Sequence, residues 1–173
     1  MVGTNVRLRA MEPSDVDFLF LWENDPATWE ASDRKWPVSQ DDINRFVRSS
    51  DLDIWQSRQM RFMVQTLDDA RTVGCADIFD FDPLNQHCAF GIYIWTAERR
   101  RHFASEAIRL LERFAFETLG VASVVVTIDS LNEPSLLMFK SLGYSQAGLL
   151  KSYLRHGRDF SDQLILQKSY VSF

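Results

Sequence analysis

Residues 89–111, AFGIYIWTAERRRHFASEAIRLL, pass from a strand-like run into an amphipathic helix. The first seven, Ala89–Trp95, are predicted to form a strand. The helix is indicated by apolar residues at helical spacing, namely Ala107, Ile108, Leu111, Phe114 and Ala115. Gly120 can end this helix. The stretch therefore predicts a strand–loop–helix unit whose junction is the segment from Thr96 to Ser105.

The rest of the chain supplies further strands and helices on either side of this unit. Strands are predicted at Val6–Leu8, Arg61–Thr66, Val73–Phe81, Ala122–Ile128 and Ser161–Gln167. Helix starts are predicted at Ser14 with Asp17, at Ser39, and at Asn132 with Pro134 in the first turn. Antiparallel strands followed by a strand–helix–strand–helix–strand order predict a mixed α/β sheet with a parallel pair near its middle, in one domain over residues 1–173.

Composition excludes several classes of protein. With 173 residues and 46 % hydrophobic residues, the chain can build a sizeable core, which argues against disorder. The net charge of −5 argues against a nucleic-acid partner. Neither an apolar membrane-spanning run nor a signal peptide is visible, so a cytoplasmic location is expected. Cys75 and Cys88 are expected to be core residues, and no metal site is expected.

The junction between the strand and the helix is the first candidate site. It contains three consecutive arginines, Arg99, Arg100 and Arg101, followed by His102. The free N–H groups of a helix start bind phosphate, and the arginines would add positive charge. The alternative is a solvated basic turn. Its position between a strand end and a helix start favours the anion site.

Motifs spread over nearly the whole chain give it a resemblance to a known family. In chain order they are Arg7–Asp15, Ala89–Ile94, Arg99-x-x-x-x-Ala104-Ser105-Glu106-Ala107, Asn132-x-x-Ser135, Ser141-Leu142-Gly143-Tyr144 and Arg155–Asp162. With them the chain resembles the GCN5-related N-acetyltransferases (GNAT), and within these the branch that acetylates ribosomal proteins and polyamines. The resemblance implies a mixed, mostly antiparallel sheet with a splayed central parallel strand pair and helices on both faces.

The resemblance also implies direct acetyl transfer from acetyl-coenzyme A (acetyl-CoA) to an amine. The splayed pair would be Ala89–Trp95 and Ala122–Ile128, with backbone donors near Ile94 for the thioester carbonyl. The residues implied to bind the coenzyme are Ile92, Ile94, Trp95, Arg99, Arg100, Arg101, His102, Phe103, Ala104, Ser105, Asn132 and Phe139. Ser135 is the implied proton donor to the leaving thiolate; alternatively, its hydroxyl bonds locally to the backbone.

Three positions depart from the family pattern. His102 stands where the family has a glycine, which is compatible with phosphate binding if its φ is negative. Phe139 replaces a tyrosine often used as an acid, and Ala89 replaces an acidic residue of polyamine acetyltransferases. These departures keep open a rival interpretation, a protein of this fold that binds coenzyme A or a partner without turnover.

Other acids must then serve the amine. Asp77 or Asp80 is a candidate base acting through a water, although solvated edge positions are the alternative. Four residues of the acidic, aromatic N-terminal segment are candidates for binding a cationic substrate: Trp22, Glu23, Glu30 and Asp33. Their alternative is an ordinary surface helix with core tryptophans. The expected acceptor is a polyamine-like small molecule or a protein N-terminus, and a homodimer is plausible by analogy.

Overall fold

The computed structural model describes residues 1–29, 36–49 and 53–170. Its seven-stranded sheet consists of β1 (Val6–Ala10), β2 (Met60–Thr66), β3 (Thr72–Asp82), β4 (His87–Ile94), β5 (Ser123–Asp129), β6 (Ser145–His156) and β7 (Asp159–Ser169). The helices are α1 (Val16–Glu23), α2 (Pro26–Trp29), α3 (Gln40–Ser49), α4 (Ile54–Ser57), α5 (Phe103–Glu117) and α6 (Glu133–Ser141). Short 3₁₀ turns precede α1 at Pro13–Asp15 and follow β4 at Thr96–Glu98.

The order of the strands confirms the mixed sheet. Across the sheet they run β1-β2-β3-β4-β5-β7-β6, and every neighbouring pair is antiparallel except β4 with β5. The parallel pair lies at the centre, as the sequence predicts, because the crossover through α5 returns the chain in the same direction.

The parallel strands β4 and β5 separate soon after they begin. They pair only at His87 with Ser123, Cys88 with Val124, and Ala89 with Val125. β3 continues to pair with β4 as far as Ile94, and β7 pairs with β5 as far as Asp129. The sheet therefore opens between residues 90–94 of β4 and residues 126–129 of β5, which we call the strand gap.

Helices cover both faces of the sheet, and two hydrophobic clusters result. On one face, called the α5 face, the buried Ile108 and Leu111 of α5 pack among residues such as Val64 and Phe90. On the other, called the α1 face, α1 and α3 cover residues including Met63 and Cys75. Alternation along each strand sends successive side chains to opposite clusters. Both cysteines are free and buried, which confirms them as core residues.

The predicted helix starts are largely confirmed by cap hydrogen bonds. The Ser39 Oγ accepts from the Asp42 N–H at 3.0 Å, and the Asn132 Oδ1 accepts from the Ser135 N–H at 3.3 Å. The start at Ser14 is wrong: Glu12 and Asp15 form the capping box of the preceding 3₁₀ turn, and α1 begins at Val16. No helix among the described residues is long and apolar enough to cross a membrane.

The sequence did not predict the short helices α2 and α4, nor the longer strand β6. It lies at an edge of the sheet, most of its residues are exposed, and its register with β7 shifts twice, between Gln146 and Gly148 and between Leu150 and Leu154. Bulges and two-sided exposure remove the apolar alternation by which a strand is recognised. Pairing with β7 therefore determines β6.

Candidate active site

The backbone of β4 offers hydrogen-bonding groups to the strand gap. The Trp95 N–H donates to the Val73 carbonyl on β3 at 2.9 Å. Because the direction of these groups alternates along a strand, the N–H and C=O groups of Ile92 and Ile94 face the opposite edge, toward the gap. This placement agrees with the expected roles of Ile92 and Ile94.

The backbone groups of Trp95, unlike those of Ile92 and Ile94, do not face the strand gap. Its N–H is bound to β3, its carbonyl accepts from the Glu98 N–H at 2.8 Å, and its ring packs against the cluster of the α1 face. The expectation that Trp95 binds the coenzyme is therefore not supported by either its backbone or its side chain.

The loop that leads into α5 contains two left-handed residues. Arg100 has φ +65° and His102 has φ +61°, so the condition of a negative φ at His102 is not met. The left-handed region costs a residue with a Cβ about 1–2 kcal/mol, which is why glycine is favoured there. His102 therefore keeps a glycine-like backbone in spite of its side chain.

The start of α5 presents free backbone donors. The first N–H groups of a helix have no acceptor within the helix, which here concerns Phe103, Ala104 and Ser105. The Ser105 Oγ donates to the His102 carbonyl at 2.9 Å, so this hydroxyl is already used within the turn. The amides of this turn, together with the dipole of a 15-residue helix, can hold a phosphate group.

The three arginines of the loop differ in their partners. Arg101 forms an ion pair with Glu98 at 2.8 Å, and the same carboxylate, only 8 % exposed as a residue, also pairs with Arg71. Arg99 Nε donates to the Ile94 carbonyl at 3.1 Å. Arg100 is exposed and has no partner among the described residues. The expectation that all three add free positive charge is therefore wrong for Arg101, because Glu98 compensates it.

Ser135 lies in the first turn of α6 and has an available hydroxyl. The residue is half-buried, and its Oγ has no hydrogen-bond partner within the described parts of the chain. The Ser141 hydroxyl of the same helix, in contrast, donates to the Met138 carbonyl at 2.7 Å. The alternative in which Ser135 bonds locally is therefore not observed. Asn132 Oδ1 is committed to capping α6 through the Ser135 N–H.

Phe139 has almost no surface to offer a ligand. It is 3 % exposed, and its ring packs edge-on against Tyr144 with 5.0 Å between the ring centroids. The assignment of Phe139 to coenzyme binding is therefore not supported, because the ring belongs to the core beneath α6.

On the α1 face, Asp77 forms part of a charged cluster that the sequence did not predict. Arg61 donates to both carboxylate oxygens of Asp77, at 2.7 and 2.8 Å, and reaches Glu23 at 3.2 Å. Burial opposes the charge of Arg61, but the carboxylates of Asp77 and Glu23 raise the pKa of the guanidinium well above its ordinary value. With two carboxylates and one guanidinium, the cluster keeps a net negative charge.

This cluster borders both a cavity and β4. The cavity, of about 290 Å³, is lined by residues that include Phe46, Arg61, Asp77 and Phe79. Asp77 is also paired with Gly91 of β4, where an added Cβ would lie 3.7 Å from the Asp77 Oδ2. Gly91, which borders the strand gap, thus places no side chain beside the Asp77 carboxylate, and the Asp77 side chain is 24 % exposed.

Among the other residues predicted to serve the amine, the two that the structure describes, Asp80 and Trp22, do not form part of the charged cluster around Arg61. Asp80 is exposed, with φ +50°, and lies toward the end of β3 where β4 and β5 are still paired, so it is not supported as a base. Trp22 is 3 % exposed and packs against Tyr93, so it is a core residue, as its alternative proposed. Glu30 and Asp33 lie outside the described residues.

The sequence comparisons agree with this geometry. A family model described as the acetyltransferase (GNAT) domain matches residues 5–145. The chain belongs to the GNAT acetyltransferase family. It is an N-acetyltransferase, and acetyl-CoA is the acyl donor of the family. The residues fit this donor, because the strand gap has open backbone edges and the α5 start has free amides.

The individual relatives have low sequence identity to this chain. A spermidine N(1)-acetyltransferase of Escherichia coli K12 is 23 % identical over 174 residues, covering 97 % of this chain and 89 % of that protein. A prophage-derived uncharacterised N-acetyltransferase of Bacillus subtilis is 26 % identical over 152 residues, covering 88 % and 82 %. Among solved structures, a spermidine N-acetyltransferase from Vibrio cholerae in complex with CoA and spermine gives a TM-score of 0.86 at 16 % identity, with 95 % of each chain covered. At such identities the structural likeness shows the fold.

A ribosomal L7/L12 α-N-protein acetyltransferase in complex with coenzyme A is also similar in structure. Its TM-score is 0.82 at 17 % identity, with 98 % of this chain and 96 % of that chain covered. Both branches of the resemblance are thus represented among the structures that share this fold. In the described part of the chain, no three His, Cys, Asp or Glu side chains are grouped as metal ligands.

Proposed function

We propose that this enzyme acetylates a primary amine of a small polycation, with acetyl-CoA as donor and without an acyl-enzyme. The observation that carries the proposal is the Asp77 carboxylate, held by Arg61 next to Glu23 and partly exposed beside Gly91. A net negative cluster beside the strand gap attracts an ammonium group and would orient it toward the thioester.

Similarity to proteins named as spermidine acetyltransferases supports the same acceptor class. The rival acceptor, a protein N-terminus, is supported by the likeness to the ribosomal-protein acetyltransferase. A polyamine carries several positive charges, whereas a peptide N-terminus brings a single one. The charge of the Arg61 cluster therefore favours the polyamine.

Within this proposal each group has a distinct task. The amides of Phe103, Ala104 and Ser105 would hold the donor's pyrophosphate, and the open edge of β4 at Ile92 and Ile94 would bind the donor's amide and thioester groups. The Ser135 hydroxyl would give its proton to the departing thiolate. Asp77 would bind a cationic group, since both of its oxygens already accept from Arg61 and it is a poor candidate for removing a proton.

Two measurements test the proposal. Calorimetric titration with acetyl-CoA is expected to show micromolar binding, which corresponds to about −8 kcal/mol. Thiol release is then followed with spermidine or a short peptide with a free N-terminus as acceptor. We expect turnover with spermidine. Coenzyme binding without thiol release for any amine would instead support a protein that binds coenzyme A without turnover.

The Asp77→Asn variant tests the acceptor site. It is expected to raise the KM for spermidine about tenfold or more while the KM for acetyl-CoA stays unchanged, since one charge of the amine site is removed. Asp162→Asn is the matched control: Asp162 is also an ion-paired strand aspartate, 2.6 Å from Lys151, but it lies on β7. Equal KM values in Asp77→Asn and the wild type would contradict the proposed site.

A homodimer is a further part of the proposal. Among the described residues, strand β6 ends the sheet with an edge that no other strand pairs, and it exposes Leu149 and Tyr153. One of the similar Vibrio cholerae structures is described as dodecameric. Sedimentation equilibrium of the purified protein tests this directly; a monomer at micromolar concentration would contradict it.

A further inference from the structure

A histidine, an aspartate and a serine from three strands meet on the α1 face of the sheet. The Nε2 of His156, at the end of β6, lies 2.8 Å from the Oδ2 of Asp129 and 2.9 Å from the Oγ of Ser161. Ser161 is buried, whereas the His156 side chain is 32 % exposed. In the sequence, His156 lies within the tail segment Arg155–Asp162, and no motif connects it with Asp129.

The strand register places this cluster at the strand gap. Paired residues of parallel strands point to the same face, and Ala89 is paired with Val125. Four residues further along each strand, the same register would bring Tyr93 opposite Asp129, where the strands have separated. Tyr93 therefore lies on the β4 side of the gap, and Asp129 with His156 lies on its β5 side, both on the α1 face.

Hydrogen bonds connect the cluster to the start of α6. The Asp129 carbonyl accepts from the Asn132 N–H at 2.9 Å, and its Oδ1 accepts from the Leu131 N–H at 2.9 Å. Asn132 in turn caps α6 through the Ser135 N–H. The carboxylate that contacts His156 is thus fixed relative to Ser135, the proposed proton donor.

The charge of Asp129 determines which ring nitrogen carries a proton. Burial works against the carboxylate, but the Leu131 N–H, the Ser161 hydroxyl and His156 together lower the pKa of Asp129. An ionised Asp129 accepts from the Nε2–H of a neutral imidazole, and this leaves a lone pair on Nδ1. Nδ1 has no partner among the described residues.

Other charged groups near His156 come from the β6–β7 hairpin. Asp159 is the register partner of His156 on β7. Arg155 directly precedes His156 in the chain, and Arg158 follows it by two positions. The Arg155 Nε donates to the Gly157 carbonyl at 2.8 Å, across the turn. Asp129 remains the one carboxylate with a recorded ion-pair contact to the ring in the described structure.

We propose that the Nδ1 of His156 accepts the proton of the incoming ammonium group, and that Asp129 is the positioning residue that orients the imidazole. This role rests on the proposed acetyl transfer. An ammonium group loses two protons overall when its nitrogen forms the C–N bond and the C–S bond breaks. The first goes to His156 and then to solvent; the second ends on the sulfur, by way of the Ser135 hydroxyl.

The pH profile of thiol release from acetyl-CoA with spermidine tests the role of His156. In His156→Gln, kcat/KM for spermidine at pH 7.5 is expected to fall about 100-fold or more. It should recover as the pH approaches about 10, where an alkylamine loses its proton without help. His87→Gln is the matched control, because His87 also lies near an aspartate, 3.8 Å from Asp82, but at the opposite end of β4. It should keep the wild-type profile.

Nitrogen NMR of the imidazoles provides a readout without turnover. The wild type is expected to carry the neutral-ring proton of His156 on Nε2, and Asp129→Asn is expected to abolish this fixed tautomer. A wild-type proton on Nδ1, or a wild-type pH profile in His156→Gln, would overturn the role of His156 while leaving acetyl transfer intact. A wild-type protein that releases no thiol with any amine would overturn the proposed function itself, and with it the role of His156.

Discussion

Replacing Ser135 by alanine separates catalysis from stability in this structure. The change removes a hydroxyl that has no partner among the described residues, while the Ser135 N–H bond to Asn132 Oδ1 remains. No buried group loses a partner, and alanine is the better helix former. The free energy of unfolding is therefore expected to change by less than about 0.5 kcal/mol.

Turnover is expected to respond much more strongly. Loss of a positioned proton donor lowers kcat by about 10²–10⁴-fold, which corresponds to about 3–5 kcal/mol of activation free energy. The Kd for acetyl-CoA should stay within about twofold of the wild type, because an uncharged hydroxyl without a protein partner contributes little to ground-state binding.

Thiol release at saturating acetyl-CoA measures kcat, and urea unfolding measures the free energy of unfolding. Calorimetry measures the Kd for acetyl-CoA. Ser141→Ala is the control on the same helix: it loses a local bond to the Met138 carbonyl and should keep full activity. A Ser135→Ala enzyme with kcat within twofold of the wild type would refute Ser135 as the proton donor. Destabilisation by more than about 1 kcal/mol would refute the assignment of a free hydroxyl.

Three further predictions concern the loop, the core and the pH dependence of stability. His102→Gly is expected to tighten acetyl-CoA binding several-fold in calorimetry, since glycine adopts φ +61° without strain and lets a phosphate approach the backbone; weaker binding would show that the imidazole assists. Asp15→Asn should lower the free energy of unfolding in urea by about 3 kcal/mol, because Asp15 is 2 % exposed and its carboxylate accepts two bonds from Arg9; a loss below 1 kcal/mol would contradict this. Burial opposes the charge of Glu106, but Asn5 and nearby backbone N–H groups lower its pKa, so its stabilising effect is complete above pH about 4.3 and is lost as the pH falls through the lowered folded-state pKa. The Tm difference between the wild type and Glu106→Gln should thus be present at pH 7 and shrink toward pH 3.

Much of the fold could be predicted because its signals are local. The apolar spacing of α5, the β-branched run of β5 and the caps at Ser39 and Asn132 are each contained within one element. The element order then indicated the central parallel pair. The family motifs place the proposed anion-binding loop between a strand and a helix, and the structure has β4 and α5 on its two sides.

The sequence predicted most of the elements, their order and the family, whereas the pairing of charged side chains depends on the tertiary structure. Glu98 compensates Arg101 and also pairs with Arg71, 27 positions away; Asp129 meets His156 only because β7 pairs with both β5 and β6. The physical reason is strand register. Periodicity assigns a residue to a face of its own strand, but its neighbours on that face depend on pairing and bulges between segments distant in the chain.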